Sequence, residues 1–152
     1  MSRFTDVLLV SPLGDGRTWV IKREFGYDIG AEGSGNSVEV PVGFMTDFAS
    51  VPRPFWIFIP QWGKYGNAAV IHDYLYYDQA RPRKDADAIF YEAMGVLAVP
   101  AVTKHLMYRA VKYFGIFAWN GNKKRKTQKI SKLAQDRIIK SVEKPAALRA
   151  KM

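Results

Sequence analysis

The spacing of apolar and polar positions changes period once along this chain, near residue 66. Before that point it has the rhythm of strands. Phe4 to Val10 reads as a first strand, with Val7, Leu8, Leu9 and Val10 nearly continuous. Pro12-Leu13-Gly14-Asp15-Gly16 is a turn, and Trp19 to Tyr27 alternates as a second strand. Gly30, Gly33 and Gly35 punctuate an irregular loop, the composition of a hairpin connection rather than of a phosphate cradle. Ser37 to Val42 is a third strand with Val38, Val40 and Val42 on one face. Three such strands with polar alternate positions predict an antiparallel meander covered on one side.

After residue 66 the period lengthens, and three helices are predicted: Asn67 to Tyr77, Lys84 to Leu97 and Pro100 to Phe117. Pro82 separates the first two, and Pro100 sits in the first turn of the third. Ala86, Ile89, Phe90, Ala93, Met94 and Leu97 form the apolar stripe of the second helix. Leu106, Met107, Ala110, Val111 and Phe114 form that of the third. Strands first and helices afterwards define an α+β class: a small antiparallel sheet packed on three helices. No repeat recurs at a period of 20–50 residues.

Length and composition narrow the class. A chain of 152 residues with 48% hydrophobic and 14% aromatic residues carries enough apolar surface for one core. The absence of cysteine excludes a disulfide framework, a thiolate metal site and cysteine catalysis. Asp6 falls where a secretory signal would need its apolar run, and no stretch approaches the length of a membrane span. The expectation is a protein made in the cytoplasm.

Charge is distributed unevenly. Residues 1–121 hold 12 basic and 12 acidic residues, whereas 122–152 hold 11 and 2, which accounts for the whole net charge of +9. A domain boundary is therefore placed at 121/122. Lys123, Lys124, Arg125 and Lys126 form a run that attracts phosphate, so nucleic-acid contact is expected of the tail. The tail also has a helical stripe of Ile130, Leu133, Ala134, Ile138 and Val142, stopped by Pro145. A basic amphipathic helix of this kind docks on its own domain, on another chain or on an acidic surface.

Between the third strand and the first helix runs Gly43-Phe44-Met45-Thr46-Asp47-Phe48-Ala49-Ser50-Val51-Pro52-Arg53. His72-Asp73-Tyr74-Leu75-Tyr76 follows, and then Asp85-Ala86-Asp87-Ala88-Ile89-Phe90. This combination resembles a family of small proteins encoded by bacteriophages and prophages and known as a domain of unknown function. The resemblance covers residues 38 to 117 and leaves the basic tail outside. It implies a phage origin and carries no activity with it.

The residues themselves allow one chemistry. His72 and Asp73 on a helix, joined by Asp47 from the preceding loop, are candidate ligands of a divalent metal such as zinc, with positions left for water. Asp87, or Glu92 beyond it, is then the candidate general base of a hydrolase. The other reading is structural. His72 bonds Asp47 to pin the loop, Asp73 pairs with Arg53 or Arg81, and Asp85 and Asp87 face the positive end of their helix. Ser50 lacks the glycine pattern of a nucleophile elbow.

Phe55, Trp56 and Trp62 belong to an aromatic block between prolines that reads either as core or as a contact surface. Two functions are therefore carried forward. The first is a non-enzymatic virion protein, tail-associated or travelling with the genome, which needs no cofactor. It would bind other virion proteins through the aromatic block and through Ile130, Leu133 and Ile138. The second is a small metal-dependent hydrolase acting on the host envelope during entry or lysis.

Overall fold

The first predicted strand is interrupted at Asp6. In the computed structural model, which describes residues 1–16, 18–46 and 64–127, the Asp6 carboxylate accepts the Val7 amide at 2.6 Å and meets Arg23 at 3.6 Å. A side chain that takes up its neighbour's amide competes with the ladder. Strand pairing stops there, and Val7 is turned out to solvent. The result is two short strands, β1 (Arg3–Phe4) and β2 (Val10–Pro12). The second predicted strand divides likewise into β3 (Trp19–Ile21) and β4 (Phe25–Asp28). The third is shortened to β5 (Ser37–Val40), and β6 (Met45–Thr46) forms beyond it, in the stretch read as a loop.

The six pieces form two three-stranded antiparallel sheets, ordered β1-β4-β5 and β2-β3-β6. Their registers show that both belong to one meander. Phe4 faces Tyr27 and Val10 faces Ile21, an advance of six residues on each strand. Phe25 faces Val40 and Val20 faces Met45, an advance of five on each. Bonds from Thr5 N–H to the Gly26 carbonyl and from Lys22 N–H to the Leu9 carbonyl, both 2.9 Å, flank the first interruption. The predicted meander is thus present, broken across its middle.

The third break has its own cause. Pro41 has no amide to donate, and its carbonyl takes the Phe44 N–H across a turn that places Gly43 at φ 89°. The turn upsets the strand alternation. Val38 and Val40 are buried as expected, but Val42 is exposed.

The helices among the described residues are α1 (Gly66–Asp78), α2 (Arg83–Val96) and α3 (Ala101–Thr127). The molecule is α+β. Helix α1 is central: it meets α2, α3, β5 and β6, and it buries Ala68 through Asp73 together with Leu75 and Tyr76. The stripe expected on α2 packs inward, with Ala86, Ile89, Phe90, Ala93 and Met94 buried and Leu97 packed against them.

Helix α3 departs from expectation in two ways. It continues ten residues beyond Phe117 and passes the charge boundary at 121/122 without a break. Its stripe is also shorter at the surface end. Met107, Ala110 and Val111 are buried, whereas Phe114 is exposed. Gly115 takes over the close contact there, against Tyr76 of α1. Ile130, Leu133, Ile138 and Val142 lie outside the described residues, as do Phe55, Trp56 and Trp62.

Candidate functional site

Asp87 lies where the three helices meet. Its Oδ1 accepts the Tyr76 hydroxyl at 2.6 Å and lies 2.9 Å from His72 Nε2, both on α1. Its Oδ2 accepts Arg83 Nη1 at 3.2 Å, one turn back on α2. The same guanidinium nitrogen donates to the carbonyls of Val111 and Lys112 on α3, at 3.3 and 3.1 Å. One carboxylate therefore ties α1 to α2, and its arginine partner extends the tie to α3. Facing a carboxylate, His72 Nε2 carries the proton of the bond. Burial, then the bond to the Asp87 carboxylate and its charge, push the Tyr76 hydroxyl well above its usual pKa, although Arg83 opposes them. Tyr76 is therefore a donor throughout the accessible pH range.

This arrangement is enclosed. The side chains of His72 and Asp87 are 2% and 5% exposed. The imidazole packs between the Tyr76 and Phe90 rings, with centroids 4.1 and 4.6 Å away. A general base must reach the proton it removes. Here the imidazole and carboxylate are turned on each other, and two aromatic rings pack against the imidazole. Three buried polar groups, His72, Tyr76 and Asp87, closed off by the partly exposed Arg83, form a fastening that specifies how the helices pack.

The neighbouring Asp73 points elsewhere. Its Oδ2 accepts the Thr46 hydroxyl at 2.6 Å, docking the end of β6 on α1. The roughly 100° between consecutive helical residues separates the two side chains, sending His72 toward α2 and Asp73 toward the sheet. Among the described residues, no group of three or more His, Cys, Asp or Glu side chains is placed to hold a metal ion. Asp47, the third expected ligand, and Arg53 lie outside those residues. The pairing expected of Arg81 with Asp73 is replaced by a 2.6 Å bond from Arg81 to the Asn36 side chain. His72, expected to reach Asp47, has Asp87 as its partner.

Glu92 is separate from the His72–Asp87 pair. Its Oε1 accepts the Ser2 hydroxyl, the Tyr27 hydroxyl at 2.9 Å and the Gly30 N–H at 3.1 Å. It fastens α2 to the start of the chain and to the β4–β5 loop. Burial would raise its pKa, but the Ser2, Gly30 and Tyr27 bonds outweigh burial and hold it below the ordinary carboxylate value of 4.5. A carboxylate depressed on folding contributes stability above its unfolded pKa and loses it as pH falls through the folded one. Glu92→Gln is therefore expected to lower stability at neutral pH and to make the acid limb of the stability curve shallower below pH 4.5. Urea titrations at a series of pH values measure both effects. A variant whose acid limb parallels that of the parent would refute the assignment.

Sequence reasoning named His72, Asp73, Asp87 and Glu92 but missed Tyr76, Arg83, Ser2 and Tyr27. Two of these carried a signal: His72 and Tyr76, like Arg83 and Asp87, are spaced i, i+4 and share a helix face. Ser2 and Tyr27 carried none, since only the meander brings them to α2. Lys123 and Lys124, taken as the start of the tail, are exposed on the last turns of α3, and the backbone of Arg125 and Lys126 continues that helix.

A family described as "Protein of unknown function (DUF1353)" matches residues 19–111, the stretch from β3 to the buried middle of α3. A Sinorhizobium fredii protein named "Uncharacterized protein y4jT" is 35% identical over 97 residues. The match covers 62% of this chain and only 28% of that relative, which is therefore much longer than the shared region. No solved structure matches the chain.

Proposed function

We propose that this chain, which belongs to the family described as "Protein of unknown function (DUF1353)", is a non-enzymatic binding component of a bacteriophage particle, tail-associated or carried with the genome. One observation carries the non-enzymatic part: His72, a candidate metal ligand of the sequence, and Asp87, its candidate general base, are buried and turned on each other, with the Tyr76 and Phe90 rings against the imidazole. The phage part rests on the Thr46–Pro52 and His72–Tyr76 motifs of the sequence. The partners are other virion proteins, and the site of action is the particle, after synthesis in the host cytoplasm. No metal or organic cofactor is needed.

The test is a proteomic one on particles. A phage or induced prophage encoding the chain is purified through a density gradient, and the particles are analysed by mass spectrometry. The expected result is the protein in fixed proportion to the major virion proteins. Its absence from infectious particles would overturn the proposal. Release of envelope fragments by the purified protein with added zinc, abolished by Asp47→Ala without loss of folding, would favour the hydrolase instead.

A further inference from the structure

Helix α3 is the most one-sided element of the molecule in charge. From Ala93 to Gln135 the sequence has no aspartate or glutamate, although all 12 acidic residues of residues 1–121 precede that stretch. Helix α3 falls wholly within it and carries Lys104, Arg109, Lys112, Lys123, Lys124, Arg125 and Lys126. Arg109 and Lys112 are exposed, and neither forms an ion pair among the described residues.

The same surface is apolar at its centre. Tyr113 is 66% exposed, Phe117 74% and Ile116 39%. Tyr113 and Phe117 stand one helical turn apart, about 6 Å along the axis. An exposed aromatic and aliphatic cluster is costly in water and marks a contact surface. The cluster is bracketed along the helix by Arg109 and Lys112 on one side and by Lys123 and Lys124 on the other.

We propose that this face of α3 adsorbs to an anionic lipid surface, with Tyr113, Ile116 and Phe117 entering the headgroup region and Arg109 and Lys112 meeting lipid phosphates. Three partners compete for such a face, and its chemistry selects one. A second copy packed through this face would bring Arg109 and Lys112, neither ion-paired among the described residues, against their equivalents. A nucleic acid would use the cations and stack on the rings but leave Ile116 without a role. An anionic bilayer uses both halves, since basic residues draw the helix in while aromatic and aliphatic side chains bury at the interface. None of the helices among the described residues is long and apolar enough to cross a membrane, so the contact is adsorption to the surface. The inference goes beyond the virion reading and does not depend on it, because it is tested on purified protein without particles.

The experiment is flotation of the intact protein with vesicles of phosphatidylcholine containing about one third phosphatidylglycerol, beside vesicles of phosphatidylcholine alone. Binding is expected on the anionic vesicles and roughly tenfold weaker on the neutral ones. Two double variants, Tyr113→Ser with Phe117→Ser and Arg109→Gln with Lys112→Gln, are each expected to lower anionic-vesicle binding at least about tenfold. All four positions are exposed, so the circular dichroism spectrum should be unchanged. Both variants keep Lys123 to Lys126. Undiminished binding by either would therefore assign attachment to that run and overturn the proposal. Failure of the parent protein to float, with retention of a single-stranded oligonucleotide, would overturn it as well.

Discussion

Replacing Asp87 with alanine is expected to lower unfolding stability by about 3–5 kcal/mol, a large part of what a domain of this size has to lose. The substitution deprives three donors at once: His72, Tyr76 and Arg83. His72 and Tyr76 are almost fully buried and have no water to turn to. Arg83 keeps the carbonyls of Val111 and Lys112 but loses the carboxylate that neutralised its charge. Asp87→Asn should cost less, because the amide oxygen still accepts while its NH2 group faces a donor. Urea unfolding of Asp87→Ala, His72→Ala and the double variant gives the coupling directly, expected at about 1–3 kcal/mol. Additive effects would mean that the two side chains stabilise the helices independently. A stability loss under about 1 kcal/mol for Asp87→Ala would mean that the pair does not fasten the helices.

Much of the fold was legible because its signals are local. The stripe Ala86, Ile89, Phe90, Ala93 and Met94 repeats every three to four residues, and α2 buries just those side chains. The alternation of Val38 and Val40 likewise fixed a buried face for β5. Local pattern failed where a side chain or a missing amide altered the backbone. Asp6 and Pro41 each ended a strand that periodicity alone would have continued. The site was half legible for a related reason. Residue type and proximity in sequence drew His72 and Asp73 together, whereas helix geometry parts them. The partner of His72 lies fifteen residues away on α2, a pairing that only tertiary packing creates. Counting charge by segment places the whole imbalance beyond residue 121, and α3 runs through that point to Thr127.

Gly115→Ala is expected to destabilise by about 1–3 kcal/mol, against the ordinary preference of helices. In an exposed helix interior, alanine is favoured over glycine by about 1 kcal/mol. At Gly115 a new Cβ would press on the Tyr76 hydroxyl and lie 3.2 and 3.3 Å from two ring carbons. Tyr76 has little room to yield, being 1% exposed, bonded to Asp87 and stacked edge-on against Trp119 at 5.2 Å. Either α3 lifts from α1 or the tyrosine moves and the Asp87 bond lengthens. The two differ in a double variant. With Tyr76→Phe the hydroxyl contact is gone, so part of the Gly115→Ala loss should be recovered if the tyrosine was the obstacle. Gly121, on the same helix, supplies the control, since a Cβ added there would meet nothing within 4 Å among the described residues. Gly121→Ala is expected to gain up to about 1 kcal/mol by helix propensity alone. Opposite signs at the two glycines, read from urea midpoints with equal slopes, would establish that α3 is held close to α1 at Gly115. A gain at both positions would mean that the contact between Gly115 and Tyr76 does not constrain the helix.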